Sequence, residues 1–326
     1  MTHSVSASML NTDMQAGKPP LLRVEATGAA TRWAAEHRDA LRAFVAEHGA
    51  LLVRGLGLRD AALTEAVFRQ LGSLIPETEG FAPRRRYAQG VYSSSKWPAN
   101  QGMCMHHELS YALQVPSLML FACLVAPTHG GATSVADASA VLDALPAELV
   151  ERCERLGWLL IRNYNDDIGA SLADAFGTDD RGAVESYCRA NAITFEWREG
   201  GGGGLRTWQR RSAVVCHALT GRRCWFNQIA FLNEWTMDPE LREYLVDVYG
   251  EDGLPFNTRF GNGDPIGADV VQLINDVYEA HTVRERWEAG DVLLVDNVRT
   301  AHAREPFEGP REVMVSLADP VRVSGS

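Results

Sequence analysis

Apolar side chains recur at helical spacing in a few stretches of this chain, and elsewhere gather into short blocks separated by turn residues. Trp33, His37, Leu41, Phe44 and Val45 share one helical face, which predicts a helix reaching His48 with Gly49 as its stop. "ALLVRGL" predicts a buried strand after it, and "AALTEAVFRQLG" a second helix ending at Gly72. "RYAQGVYSSS" and "PSLMLFACLVAP" read as strands. A helical stripe of Leu142, Leu145, Leu149, Cys153 and Leu156 contains Pro146, a residue suited to the first turn of a helix, so the stripe divides into two short helices. "GWLLIRNY", "CWFNQIAFL", "GDVLLVDN" and "EVMVSLADP" predict further strands, with helices over about 238–249 and 268–281.

The pattern fails in two places. Residues 1–20 are polar and read as a flexible N-terminus. Residues 165–195 are acidic and weakly patterned apart from a helix near 181–190; with the glycine-rich "EGGGGGLRTW", read as a flexible loop, they form an insertion or lid over about 165–213. That glycine run lacks a following Gly-Lys-Ser/Thr and so makes a poor phosphate cradle. No repeat or linker interrupts 21–326, which reads as a single domain. The strands are far apart in sequence and do not alternate regularly with helices. That disfavours a doubly wound sheet and favours an antiparallel sandwich or jelly roll with flanking helices, a mainly β, α+β class.

Charge narrows the partners. The 326 residues hold 42 acidic against 31 basic side chains, for a formal net charge of −11, which argues against nucleic acid or an anionic membrane as partner. No apolar run approaches the ~18 residues of a membrane span, and no secretory signal opens the chain. The cysteines 104, 123, 153, 188, 216 and 224 include no C-x-x-C pair and read as buried free thiols in a reducing cytoplasm.

The candidate chemistry lies in "MCMHHELSYA". On a strand, residues i and i+2 share a face, so His106 and Glu108 point together and His107 points away. A histidine and a carboxylate so placed offer a nitrogen and an oxygen to one ion, and His302, after the strand of "GDVLLVDN", supplies a third ligand. Two histidines and a carboxylate make the facial triad of non-haem iron(II) oxygenases, which leaves coordination positions open. Zinc is the competing ion, but the helical H-E-x-x-H of zinc hydrolases is absent. Arg311, at the start of "EVMVSL", can hold a carboxylate through paired charge-assisted hydrogen bonds. Triad and arginine together fit 2-oxoglutarate, whose keto-acid end chelates the metal while its distal carboxylate meets the arginine.

With these residues placed, the chain resembles the iron(II)/2-oxoglutarate dioxygenases of the taurine dioxygenase (TauD/TfdA) family, of the amino-acid-tailoring hydroxylase type. The resemblance spans about residues 50 to 320 through "GVYSSSKWP", "MHHELSYA", "GGATSVAD", "WFNQ", "GDVLLVDN" and "HAREPFEGPR". It implies a double-stranded β-helix core. It implies Fe(II) as cofactor, with 2-oxoglutarate and O2 as co-substrates. It makes His106, Glu108 and His302 the catalytic iron ligands, Arg311 the anchor of 2-oxoglutarate, and Thr133 the hydroxyl beside that anchor. Position 107 is often Asn or Asp in such motifs, and Ala303 replaces a frequent glycine. Halogenases of the superfamily carry Ala or Gly at the carboxylate position, so Glu108 implies oxygenation.

The implied partner is an amino-acid-like small molecule, free or tethered to a carrier protein, in natural-product (antibiotic) biosynthesis. Hydroxylation, desaturation and epoxidation are not separated by the sequence, nor is the oligomeric state. A cupin-like, non-enzymatic metal sensor is the alternative of another class. Tyr111, Asn227 and Arg304 are candidate substrate contacts, with Tyr92 and Trp97 at the same rim. His37 and His281 read as structural, and Arg84 to Arg86 as a solvated basic turn.

Overall fold

The stripe that predicts the first helix is the face it buries. In the computed structural model, which describes residues 10–26, 28–82, 84–165, 168–198 and 204–323, that helix is α1 (Ala30–His48), with Leu41, Phe44 and Val45 buried. Gly49 ends it with φ 86°, a left-handed conformation that costs glycine little, and donates its N–H to the Val45 carbonyl at 2.7 Å. The second helix is α2 (Ala61–Leu71), capped by the Asp60 carboxylate on the Leu63 N–H at 2.8 Å.

Both helices cover one face of a nine-stranded sheet. Its centre runs Ala50–Arg54, Val292–Asp296, Val115–Val125 and Glu312–Val321 in spatial order, all antiparallel. Alternation along these strands divides the core. Leu51, Val53, Leu120, Ala122, Leu294 and Met314 pack against the helices, beside Leu41, Phe44, Val67 and Phe68. Leu52, Phe121, Cys123, Leu293, Val295, Val313 and Val315 face the other way, into a second cluster with Met105, Val135, Ala301 and Ala303. A sheet buried on both faces needs apolar residues at consecutive positions, which is why "LMLFACL" is a run and not an alternation. At ~1.5–3 kcal/mol for each fully buried large aliphatic or Phe side chain, these two layers dominate the stability of the region.

The second layer is a four-stranded sheet in the order Thr282–Val283, Thr133–Asp137, Thr300–Arg304, Met103–His106. Two of its strands, Thr133–Asp137 and Thr300–Arg304, are missing from the sequence prediction. They are short, and their Thr, Ser, His and Arg side chains hide the apolar period. A third sheet, ordered Thr194–Arg198, Gly204–Arg211, Trp158–Tyr164, Phe256–Phe260, lies over the segment expected as an insertion. There α5 (Leu172–Phe176) and α6 (Arg181–Ala190) enclose a small core of Tyr164, Ala175, Val184, Cys188, Ile193 and Leu205. The two short helices predicted from the stripe at 142–156 are found as Ala138–Ala144 and Ala147–Leu156, and those predicted at about 238–249 and 268–281 as Pro239–Tyr249 and Ala268–Ala280.

Several expectations are corrected. "CWFNQIAFL" is a strand only over Arg223–Trp225, paired with Val214–Cys216. From Phe226 the chain turns, because the Asn227 amide bonds the Ala213 carbonyl at 3.1 Å and the Ile229 N–H at 3.0 Å. In "EGGGGGLRTW" the expected loop falls partly on residues 199–203, outside the described ones, while Gly204–Arg211 is a strand paired to Trp158–Tyr164. Of the polar N-terminus, residues 1–9 lie outside the described ones, and Thr12–Asp13 pairs with Leu21–Leu22. All six cysteines are free, four of them buried, while Cys104 is half-buried and Cys216 exposed. Among the described residues no helix is long and apolar enough to cross a membrane.

Candidate active site

His106, at the end of Met103–His106, and His302, in the middle of Thr300–Arg304, are register partners on neighbouring strands of the four-stranded sheet, with ring centroids 4.4 Å apart. The pairing slips between His302 and Arg304, at Ala303. His106 stacks on Phe231 at 4.4 Å, and His302 meets the edge of Phe121, from the major sheet, at 5.1 Å. The site therefore lies between the two sheets. Glu108 completes a group with the two histidines in which one ligand atom from each lies within 4.8 Å of the others, and its Oε2 is 3.8 Å from His302 Nε2. All three side chains are buried.

The parity argument thus brings the right three residues together, but not by the pleat alone. The strand ends at His106, and Glu108 sits in the turn that follows, where Leu109 adopts φ 54°. Asn297 makes that turn. Its Oδ1 accepts from the Glu108 N–H at 2.8 Å, while its Nδ2 donates to the Glu108 carbonyl at 2.9 Å and to the Pro116 carbonyl at 2.9 Å. His107 points away, and its Nδ1 donates to the Asn297 carbonyl at 2.6 Å. In the sequence "VDN" reads only as the end of a strand. Its signal was there, since a fully buried Asn must satisfy both ends of its amide.

The electrostatics suit a metal. His106 Nδ1 donates to the Cys104 carbonyl at 2.9 Å, which fixes the tautomer and leaves Nε2 with a lone pair. Burial lowers the pKa of His106 and, more strongly, of His302, with neighbouring imidazoles and Arg84 adding to the effect at His302. Both rings are neutral at neutral pH and able to ligate. Two neutral imidazoles and one carboxylate, mutually within ligation range and buried, fit a divalent cation.

Arg311 enters the same cavity. Its Nε donates to the Gly131 carbonyl at 3.0 Å and its Nη1 to Ser94 Oγ at 3.3 Å, and it has no carboxylate partner among the described residues. Burial, followed by the neighbouring Arg304, pulls its pKa down to about 10, so it stays charged. Gly131 adopts φ 69°, and a Cβ there would stand 2.8 Å from Phe307 and Pro127 and 3.2 Å from Arg311 Cδ, so glycine in "GGAT" is what lets the arginine lie close. Thr133 lines the same cavity, opposite Arg304 in register.

The other sequence candidates are placed differently. Tyr111 is buried away from the triad with its hydroxyl on the Glu79 carbonyl at 2.7 Å, and Asn227 holds its local turn; neither lines the metal cavity. Arg304 does line it, but it pairs with no acid among the described residues. Its terminal nitrogens hold the carbonyls of Trp97, Pro98 and Gln101 at 3.1, 2.7 and 2.6 Å. Tyr92 accepts the Glu77 N–H at 3.0 Å, and Trp97 lines the adjoining cleft with Arg304 and Arg311. The basic run is corrected outright. Arg85 and Arg86 are exposed, whereas the Arg84 side chain is only 6% exposed. Arg84 Nη2 lies 3.0 and 3.3 Å from the two Glu108 oxygens, and its Nε reaches Ser95 Oγ at 3.1 Å and Glu77 Oε2 at 3.4 Å. No sequence signal separates Arg84 from its two neighbours; only the turn that carries it inward does.

Comparison with known proteins agrees with this geometry. Residues 19–317 match the model of the family described as "Taurine catabolism dioxygenase TauD, TfdA family". The chain is 35% identical over 282 residues to the dapdiamide synthesis protein DdaC of Enterobacter agglomerans, covering 85% of this chain and 84% of that one. Its fold is similar to the crystal structures of PvcB from Pseudomonas aeruginosa (TM-score 0.53, 14% identity, 96% and 92% of the two chains) and of a taurine dioxygenase from Burkholderia xenovorans (TM-score 0.51, 16% identity, 97% and 92%). A match over most of the chain, around a buried His-Glu-His group with an arginine free to take a carboxylate, leaves one conclusion: the chain belongs to the TauD/TfdA family and is an iron(II)- and 2-oxoglutarate-dependent dioxygenase.

Proposed function

We propose that this enzyme hydroxylates an amino acid or an amino-acid-derived substrate, free or carrier-bound, in natural-product biosynthesis, and that 21–326 form one cytoplasmic domain built on a double-stranded β-helix. The observation that carries the site assignment is the convergence of His106, Glu108 and His302 within 4.8 Å of one another, in one cavity with Arg311. In this reading those three residues hold iron(II). Arg311 takes the distal carboxylate of 2-oxoglutarate, assisted by Thr133. The bound metal and co-substrate supply oxygen activation, coupled to decarboxylation of 2-oxoglutarate to succinate and carbon dioxide. The protein's part is to orient and to exclude. Asn297 fixes the Glu108 turn, the Cys104 carbonyl aims His106, and Phe121 and Phe231 wall the histidines from water.

The tailoring role is supported by the similarity to a protein named for dapdiamide synthesis, and oxygenation in place of chlorination by Glu108, which fills the position a halide would need. The test is a screen of free amino acids and carrier-bound aminoacyl thioesters for substrate-dependent succinate release and product mass. A gain of one oxygen supports hydroxylation, a loss of two hydrogens points to desaturation, and a chlorinated main product in the presence of chloride refutes the reading of Glu108.

A further inference from the structure

Arg84 lines this cavity, and the proposed reaction gives it no role. Its side chain is almost wholly buried between two carboxylates, Glu77 and Glu108. Nη2 and Nε are engaged by Glu108, Ser95 and Glu77, while Nη1 is buried and has no hydrogen-bond partner among the described residues. A stranded guanidinium donor is costly, and worth keeping where a ligand completes it.

The charge count points to the kind of ligand. Arg84, Arg304 and Arg311 line the cavity, Glu108 is the only acid lining it among the described residues, and Glu77 stands behind Arg84. Three cations against two carboxylates leave one positive charge. The backbone carbonyls that hold Arg304 do not cancel it. Iron(II) and the 2-oxoglutarate dianion are equal and opposite, so loading the site leaves the excess in place. Among side chains as buried as these, such an excess favours an anion.

We infer that Arg84 is a specificity residue that recognises a free carboxylate of the primary substrate through Nη1. The inference rests on the iron-site reading above and narrows it. A substrate whose only carboxylate is tied up as a carrier thioester leaves Arg84 unmatched, so the preferred substrate is a free amino acid or one carrying a second carboxylate. The same guanidinium touches Glu108, so the recognised carboxylate is held within one side chain of the metal.

The experiment uses the full chain loaded with Mn(II) and 2-oxoglutarate without oxygen, and acetate as the probe, with methyl acetate as its neutral counterpart. The readout is relaxation of the probe's methyl protons by the bound Mn(II), which falls steeply with distance. Acetate should show saturable relaxation that methyl acetate does not. Arg84→Gln should weaken acetate binding at least tenfold, and Arg84→Lys should fall between, since an ammonium keeps the charge without the planar fork. Equal relaxation of the two probes, or an unchanged acetate affinity in Arg84→Gln, overturns the inference. If Arg84→Gln does not retain Mn(II), Arg84→Lys decides, and an acetate affinity in it equal to the parent's overturns the inference. Failure of the iron-site reading has a separate signature, retention of Mn(II) by His106→Ala.

Discussion

The turn that presents Glu108 depends on one amide, and replacing Asn297 measures how much. In Asn297→Ala the Glu108 N–H, the Glu108 carbonyl and the Pro116 carbonyl all lose their partner in a region where Asn297 itself is fully buried. A stranded buried polar group costs about 1–3 kcal/mol, and a water entering the vacated space recovers part of that, so a net loss of about 3 kcal/mol is expected. With an unfolding entropy of about 2.1 cal/mol/K per residue, that is a fall in Tm of roughly 4 °C for a chain of this length. Asn297→Asp should be worse than Asn297→Ala, although it is closer in shape. It keeps an acceptor for the Glu108 N–H but turns the donor that serves two carbonyls into a buried, negatively charged acceptor. The assay is thermal denaturation in the presence of a chelator, which separates folding from metal binding, followed by Mn(II) titration, where both variants should bind more weakly because the Glu108 carboxylate is no longer held. If metal-free Asn297→Ala melts within a degree of the parent, or if the aspartate variant is the milder of the two, the clamp does not hold the ligand turn.

Three other outcomes follow from the same geometry. His106→Ala and His302→Ala should lose stoichiometric metal while His107→Asn keeps it, by metal analysis after dialysis; the reverse pattern would reassign the ligands. Arg311→Gln should raise the 2-oxoglutarate concentration needed for half-saturation at least tenfold with metal retained, and Thr133→Val should do the same more weakly, as followed in an anaerobic titration of the iron–co-substrate charge-transfer absorbance; a titration like the parent's would move the anchor elsewhere. Burial holds His107 down at about 4 against an ordinary 6.5, the Asn297 carbonyl offsetting only part of the effect. The unfolded chain therefore binds the extra proton first, and the stability this ring contributes is full above pH 6.5 and is lost as pH falls towards 4. The loss is on the order of 3 kcal/mol, and chelator-treated His107→Asn should show a correspondingly flatter stability profile across that window.

What the sequence determined by itself was whatever depends on period and on order along the chain. The helices at 30–48, 61–71 and 268–280 were legible because each buries one stripe, and the strands around Leu120 and Leu294 because burial on both faces leaves an unbroken apolar run. The His106, Glu108 and His302 group was legible because a metal demands particular donor atoms, and few residue types supply them; Arg311 lies in the same cavity, and its role as the co-substrate anchor is a proposal. Only the tertiary structure decided the rest. Thr133–Asp137 and Thr300–Arg304 are strands because they pair with each other, not because their residues alternate. Glu108 joins His106 through a turn that Asn297 holds from 189 residues away. Arg84, Arg85 and Arg86 are chemically the same in the sequence, yet only Arg84 is turned inward onto Glu108. Local pattern records which face a residue needs to bury; which partner meets it there is set by contacts between segments that the pattern does not connect.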